Sequence, residues 1–234
     1  MPRQRSAAVL PRWQWLWFPP LLLLVILPVR LFDPAGYRTW VDGELGLIEL
    51  ATPVLSLLGA ACGALLAREL LREGLSKLLI WVLLLTAACV YFAGEELSWG
   101  QHLFGWQTPE SVARLNDQQE TNLHNMSSWL DQKPRLLLEL WVLIGGIVMT
   151  LVGRKASQRL SPNVVSSWFW PTRDCLPTAV LAIGIRLPER IKDIAGLDTL
   201  PFEIRWSEPQ EYYFALFLLL YLASLRERVR RTRD

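Results

Sequence analysis

The feature that most constrains the fold is a series of long apolar runs separated by short charged segments. The two clearest runs are Leu45–Ala67 and Ser76–Gly94. A bilayer core about 30 Å thick is crossed by about 20 mostly apolar helical residues, so both runs have the length of a membrane span. Hydrophobic residues make up 52% of the 234 residues, which is high for a soluble domain. We therefore expect an all-α protein in which residues 1–234 form a single integral membrane domain, a polytopic transmembrane helical bundle.

Six such runs are candidates for transmembrane helices. The first follows the N-terminal MPRQR and lacks the small-residue cleavage pattern of a secretory signal, so we expect it to remain uncleaved. The fifth is the least regular because Pro171, Arg173 and Asp174 interrupt it, and the sequence leaves open whether it crosses fully. The six runs lie near residues 13–30, 45–67, 76–94, 136–152, 168–185 and 212–225.

Basic residues concentrate in the segments that a six-span chain places on one side of the membrane. Fifteen of the 24 Lys and Arg residues lie in the N-terminal segment, in loops 68–77 and 154–174, or in the tail 226–234. Cytoplasmic loops are rich in Lys and Arg, so this distribution predicts that both termini are cytoplasmic. In this orientation the basic tail lies beside the anionic headgroups of the lipid bilayer, which is the expected partner. Nucleic acid is not needed to explain the tail.

The largest loop on the other side, residues 95–132, contains both histidines of the protein. It begins where the apolar third run ends in FAGEELSWGQHLFGW, with Glu95 next to Glu96. If the third helix continues outwards, Glu95, Ser98 and His102 fall at i, i+3 and i+7, on one helical face. Acidic side chains at an apolar boundary are costly unless they are paired. We therefore expect this loop to be the functional segment.

A second candidate helix in this loop, residues 116–128, contains NDQQETNLHN. Asp117, Glu120 and His124 repeat the i, i+3, i+7 spacing there. Carboxylate and imidazole groups at i and i+4 can converge on one cation, and such donors suit zinc or iron. The spacing therefore predicts a metal site with Glu120 and His124 as ligands and His102 as a weaker candidate.

The same loop supports metal-free chemistry as an alternative. A glutamate beside another acid, or in an apolar setting, can serve as a general acid or base. This predicts catalytic roles for Glu95, Glu96, Ser98 and Gln101. The competing explanation is that such acids are solvated and merely stabilise a helix through i, i+4 pairs, and we prefer it for Asp117.

Two further acids lie inside predicted spans. Glu49 follows the start of the second run, and Glu139 interrupts LLLELWVLIGG near the outer end of the fourth. Ionisable groups within a span are expensive and indicate by default a ligand site, a proton relay or a pathway. For Glu139, an ion pair with Arg135 or Arg38 is an equally good explanation.

Small residues in the runs have a structural explanation. Gly59 and Gly63 lie in the second run, and Gly145 and Gly146 lie in the fourth. Small residues let transmembrane helices approach closely, so we expect these glycines at helix–helix contacts. The cysteines form no CxxC pair and lie in or beside apolar runs, which is typical of buried apolar side chains rather than a disulfide framework or a metal site.

The elements GEELSWGQHLFGWQTPE and NDQQETNLHN resemble those of a group of uncharacterised bacterial multi-pass membrane proteins, which share GEE-x-SWGQ and N-x-Q-x-ETNLHN. The resemblance covers residues 94–125. It implies a multi-pass protein of a bacterial cytoplasmic (inner) membrane with a site on these residues. Members of the group often carry arginine where this chain has His102, which favours Glu120 and His124 over His102 as ligands.

Glu95 and Glu96 also resemble the Glu-Glu pair of the CAAX-processing glutamate intramembrane proteases. Gly100 stands where that motif has arginine, and the Phe-x-x-x-His element of the family is missing, so the likeness is a chemical analogy. Three functions stay open: a hydrolase or transferase acting at the outer leaflet on a lipid-linked or peptide substrate, a transporter or channel, and an assembly partner of a periplasmic protein. We favour the enzyme because the cytoplasmic halves of the spans contain few polar residues for a through-pathway.

Overall fold

The computed structural model describes residues 8–42, 46–114, 116, 120–122, 128–152, 165–199 and 204–232. Over these residues every regular element is helical, which confirms the predicted all-α fold. The helices are α1 (Leu21–Phe32), α2 (Pro34–Gly36), α3 (Leu47–Glu73), α4 (Ser76–Glu96), α5 (Gln101–Phe104), α6 (Glu110–Ala113), α7 (Ser128–Trp141), α8 (Val165–Phe169), α9 (Leu176–Gly184), α10 (Leu187–Ala195) and α11 (Ser207–Arg231). Short π-helical or 3₁₀ segments lie at Trp13–Trp17, Tyr37–Val41, Ser98–Gly100, Val142–Met149 and Arg173–Cys175.

Three helical segments of the described chain are long and apolar enough to cross a membrane: Trp13–Phe32, Leu47–Glu73 and Ser76–Glu96. The first contains Pro19 and Pro20 between its π-helical turn and α1, at the position where proline is expected to interrupt a helix. Helix α3 has 27 residues, and a rise of 1.5 Å per residue makes it about 40 Å long. That length exceeds the apolar core of a bilayer, and the protein is membrane-embedded.

The other three predicted runs are helical but differ from these segments in length and composition. Helix α7 continues directly into the π-helical segment Val142–Met149. Helix α9 has nine residues and is about 14 Å long, which is shorter than a bilayer core. Helix α11 has 25 residues but carries several charges near its C-terminus. Length and composition therefore identify three candidate spans among the described helices.

Helix α11 lies at the centre of the bundle. Its side chains are buried on almost every face between Tyr212 and Leu225, and it packs against α3, α4 and α9. Large apolar side chains of the outer helices are instead exposed, such as Leu58 of α3 at 51% and Ile80 of α4 at 66%. A soluble protein rarely exposes so much contiguous apolar surface, and in a bilayer this surface faces lipid.

Successive long helices run in alternate directions. Gly74 has a φ of 68°, the left-handed conformation that commonly ends a helix, and α4 returns antiparallel to α3. Near their C-termini, α3 and α11 are joined by a hydrogen bond of 2.9 Å from Arg226 Nη2 to Glu69 Oε1, so these two helices are parallel. We term this end of the bundle the basic end. The opposite acidic end contains the N-termini of α3 and α11 and the C-terminus of α4.

The glycines of the second and fourth runs lie at close helix contacts. A Cβ added to Gly63 would lie 2.2 Å from Thr86 Oγ1 of α4. A Cβ added to Gly146 would lie 2.7 Å from Ala179 Cβ of α9. Both distances are shorter than any normal carbon contact, which confirms the predicted packing role of these glycines.

Candidate functional site

Helix α4 ends at Glu96, and the chain does not continue as a helix beyond it. Ser98 and Trp99 have φ angles of 45° and 55°, in a left-handed region that residues other than glycine seldom adopt. A new helix, α5, begins only at Gln101. The prediction that Glu95, Ser98 and His102 share one face of a continuous helix is therefore wrong.

Trp99 stabilises the break at the end of α4. Its indole Nε1 donates a hydrogen bond of 2.7 Å to Glu95 Oε1. Its ring also covers Gly94, where an added Cβ would lie 2.9 Å from the ring carbon Cε3. Glu95 is only 4% exposed, so this bond satisfies part of a buried carboxylate. The half-exposed Trp99 ring is typical of the aromatic belt at a membrane interface.

A cleft of about 230 Å³ lies between α4, α7 and α11 at the acidic end; we term it the acidic cleft. Its buried wall is apolar and includes Leu85, Phe214 and Leu218, whereas Ala88 and Pro134 are exposed. The cleft therefore opens at the surface of the bundle. The lining residues are Leu85, Ala88, Tyr91, Phe92, Glu95, Glu96, Pro134, Arg135, Leu138, Glu211, Phe214 and Leu218.

Three carboxylates and one guanidinium line the acidic cleft. Glu95 and Glu96 come from α4, Arg135 comes from α7, and Glu211 comes from α11. Arg135 Nη1 forms an ion pair of 3.0 Å with Glu211 Oε1. The charged end of the cleft thus combines carboxylates that can accept or donate protons with Arg135, which is paired with one of these carboxylates, Glu211.

Arg135 is fixed by partners from α11. Besides Glu211, its Nη2 contacts Ser207 O at 3.3 Å and Gln210 Oε1 at 3.2 Å. Its Nε is buried and has no hydrogen-bond partner among the described residues. A buried donor without a partner costs about 1–3 kcal/mol, so holding Arg135 in this position has an energetic cost.

The two acids predicted inside spans lie in different surroundings. Glu139 forms an ion pair with Arg190 of α10, a partner that differs from those expected from the sequence. Glu49 lies in the first turn of α3. Its carboxylate and that of Glu208 are close enough to interact electrostatically with Glu96. Glu49 therefore belongs to the acidic end around the cleft, whereas an ion pair accounts for Glu139.

Buried polar side chains connect the outer loop to the end of α4. Ser98 Oγ donates to Glu120 Oε2 at 2.7 Å, and Asn122 Nδ2 donates to the same oxygen at 2.6 Å. Asn116 Nδ2 donates to Asn122 O at 2.9 Å, and Asn116 Oδ1 accepts from Glu120 N at 3.1 Å. Ser98, Asn116 and Asn122 are each no more than 4% exposed. We term these four residues, with Gln101 and Thr121, the loop network.

Gln101 forms the second half of the loop network. Its Oε1 accepts hydrogen bonds from Thr121 N at 2.8 Å and from Thr121 Oγ1 at 2.7 Å. Thr108 Oγ1 lies 3.2 Å from the same oxygen. Asn116 and residues 120–122 are not helical, so the predicted second helix over 116–128 is wrong at these positions. The side chains that the motif places here hold the loop in a non-helical path.

The predicted metal site lies partly outside the described residues. Asp117, His124 and the side chain of His102 lie outside the described part of the chain. Within the part of the chain that the structure describes, no group of three His, Cys, Asp or Glu side chains is arranged to hold a metal ion. Glu120 accepts hydrogen bonds from Ser98 and Asn122. Zinc or iron on Glu120 and His124 stays a prediction.

Arg135 is a member of the cleft that the sequence indicates only as a possible partner of Glu139. A signal was present, because Arg135 is a basic residue at the outer end of a predicted span, where the positive-inside distribution predicts few such residues. A cation in that position requires a local acidic partner, and Glu211 is that partner.

No protein-family model matches the chain, and neither a curated protein nor a solved structure matches it. Its function is therefore argued from the acidic cleft and the loop network.

Proposed function

We propose that the protein is an enzyme of a bacterial cytoplasmic membrane, a hydrolase or transferase that acts on a lipid-linked substrate in the acidic cleft. The observation that carries this proposal is the composition of the cleft, whose apolar walls end at Glu96 and Arg135. An apolar pocket with a few convergent polar groups is the usual form of a small-molecule site. The apolar wall fits a hydrocarbon tail, and the charged end fits a polar head.

A multi-pass arrangement of six spans with both termini in the cytoplasm is part of the proposal. The alternating directions of the long helices support it, and so does the distribution of Lys and Arg. In this arrangement the acidic end faces away from the cytoplasm, and the acidic cleft lies at the outer leaflet. Ala88 and Pro134 are exposed beside the cleft, which supports lateral access of a substrate from the bilayer.

Glu96 is the residue best suited to act as a general base. The neighbouring Glu95 accepts the indole hydrogen bond of Trp99, whereas Glu96 lines the cleft without a hydrogen-bond partner among the described residues. Glu96 takes a proton from water or from an acceptor hydroxyl, whose oxygen then attacks the scissile group. Arg135 stabilises the negative charge that develops on the substrate. The proton held by Glu96 passes to the leaving group, which restores the carboxylate.

The experiment compares wild type with Glu96→Gln and with Glu110→Gln as matched control. Glu110 is a surface acid whose side chain is 91% exposed and is paired with Arg114. Each protein, reconstituted in lipid nanodiscs, is incubated with a total bacterial lipid extract. Mass spectrometry then follows the loss of lipid-linked species and the release of water-soluble products.

We expect wild type and Glu110→Gln to convert the same lipid-linked species. Loss of a general base lowers turnover by about 10²–10⁴-fold, so Glu96→Gln should be nearly inactive. A second variant, Ala88→Phe, should reduce turnover by filling the cleft while leaving Glu96 intact. Equal conversion by wild type and Glu96→Gln, or no conversion by wild type, would contradict the proposed function.

A further inference from the structure

A second cavity, of about 620 Å³, lies at the basic end between the N-terminal chain, α3 and α11; we term it the basic groove. Arg226, Arg230 and Arg231 of α11 line it, together with Glu227. Val9 closes one side, because its carbonyl oxygen accepts a hydrogen bond of 2.7 Å from Arg231 Nη2. The groove is therefore separate from the acidic cleft and opposite to it in charge.

The arginines of the basic groove are only partly neutralised. Arg226 donates through Nε and Nη2 to Glu69 Oε1, at 3.0 and 2.9 Å. Arg230 Nη2 reaches the same oxygen at the longer distance of 3.3 Å, and Arg231 pairs with Glu227 at 2.8 Å. Among the described residues, three cations thus face two carboxylates. Arg230 has the weakest partner of the three.

Arg230 retains hydrogen-bonding capacity toward a ligand. A guanidinium carries five N–H donors, and among the described residues Arg230 uses one of its nitrogens, in the long contact with Glu69. Its side chain is 52% exposed, so its remaining donors reach the surface of the groove. Planar guanidinium donors match the oxygens of a phosphate group.

The inner part of the groove has different chemistry from its rim. Cys62 of α3 and Ala223 of α11 line it. Cys62 lies two helical turns before Glu69, a distance of about 10 Å along α3. On the outer face of α3, Leu58 and Leu65 are 51% and 47% exposed. The groove therefore joins a basic rim to an apolar surface that faces lipid.

From this combination we infer that the basic groove binds an anionic phospholipid, with its phosphate at Arg230 and Arg231 and one acyl chain passing Cys62 along α3. Basic pockets between transmembrane helices are suited to anionic headgroups. A free phosphate would use the rim and leave the apolar part empty. A zwitterionic lipid would bring a further cation to a site in which the described cations already outnumber the carboxylates. This inference stands independently of the chemistry proposed for the acidic cleft.

The test measures lipid binding to the full chain in detergent by native mass spectrometry. Phosphatidylglycerol and phosphatidylcholine are titrated separately, and inorganic phosphate is used as competitor. Arg230→Gln is compared with Arg72→Gln, which removes one exposed positive charge in the last turn of α3 without altering a groove residue. Alkylation of Cys62 by a thiol reagent reports on the inner groove, because Cys89 and Cys175 are buried.

We expect one phosphatidylglycerol to bind at least tenfold more tightly than phosphatidylcholine and to slow alkylation of Cys62. Arg230→Gln should weaken the binding of phosphatidylglycerol at least fivefold, whereas Arg72→Gln should leave this binding unchanged. Equal effects of the two substitutions would indicate general surface attraction and would overturn the inference. It would also be overturned by equal binding of the two lipids, or by inorganic phosphate displacing phosphatidylglycerol while Cys62 stays reactive.

Discussion

Substituting Gly146 by alanine tests how tightly the π-helical segment Val142–Met149 packs in the bundle. The added methyl group would lie 2.7 Å from Ala179 Cβ and 2.8 Å from Phe217 Cε2. Carbon atoms at optimal separation are about 3.5–4.0 Å apart, so both contacts are too short by roughly 1 Å. Ala179 Cβ is attached to the backbone and cannot rotate away, and α9 must therefore move.

The matched control is Gly184→Ala. Both glycines are helical, but a Cβ at Gly184 would have no neighbour within 4 Å. Replacing glycine by alanine inside a helix stabilises by up to about 1 kcal/mol, and this gain is common to both variants. The difference between them isolates the cost of overpacking, which is about 1–3 kcal/mol. At about 2–4 °C per kcal/mol for a chain of this size, Gly146→Ala should melt about 2–12 °C below Gly184→Ala.

Thermal unfolding in mild detergent, followed by tryptophan fluorescence, measures this difference. The double variant Gly146→Ala/Ala179→Gly removes the contact of 2.7 Å but keeps the contact with Phe217, so it should recover part of the loss. Melting temperatures of Gly146→Ala and Gly184→Ala within 1 °C of each other would refute the packing argument. Ala179→Gly alone is the reference, because glycine inside a helix costs about 1 kcal/mol. A double variant no more stable than the sum of the two single effects would show that α9 is not the obstacle.

Two further predictions concern residues near the loops. Asn116→Ala removes three hydrogen bonds of the loop network. A net loss of about 2 kcal/mol in stability should speed hydrogen exchange of the Glu120 amide about 30-fold, whereas the control Glu110→Ala should leave it unchanged. Unchanged exchange in Asn116→Ala would contradict the network. Burial and the nearby Asp42 carboxylate raise the pKa of Tyr37 from 10.0 to about 12. The fold therefore favours the neutral phenol, and the associated stability is present below pH 10 and lost as pH rises toward 12. Between pH 10 and 12, the melting temperature of wild type should fall further than that of Tyr37→Phe. Equal decreases in the two proteins would be evidence against a raised pKa of Tyr37.

The helical runs and their glycine contacts are predictable because both depend on local sequence. A run such as Ser76–Gly94 is apolar over the length of a span, and the structure extends it by only two residues, to Glu96. Gly63 and Gly146 follow from the rule that only small side chains allow close approach between helices. These signals need no knowledge of which helices are neighbours.

The course of the chain after Glu96 is not predictable in the same way. Glycine disfavours a helix interior, so Gly100 weakens a helical continuation, but nothing in GEELSWGQ predicts the positive φ angles of Ser98 and Trp99. The left-handed conformation is compensated by contacts that sequence spacing does not reveal, namely the bond from Ser98 to Glu120 across 22 positions. Arg135 and Glu211 are likewise far apart in the chain and meet only because the fold places Arg135 against the N-terminal turns of α11.

Helix α11 relates the two proposed ligand sites to the thickness of a membrane. Glu211 lines the acidic cleft and Arg230 lines the basic groove, and the 19 positions between them correspond to about 29 Å along an α-helix. That distance matches the apolar core of a bilayer, about 30 Å. In the six-span arrangement proposed above, the charges that lower the hydropathy of α11 lie at the two membrane surfaces, and its middle is apolar. Because α11 is enclosed by other helices, the two sites are held at this separation, which supports separate lipid ligands in opposite leaflets.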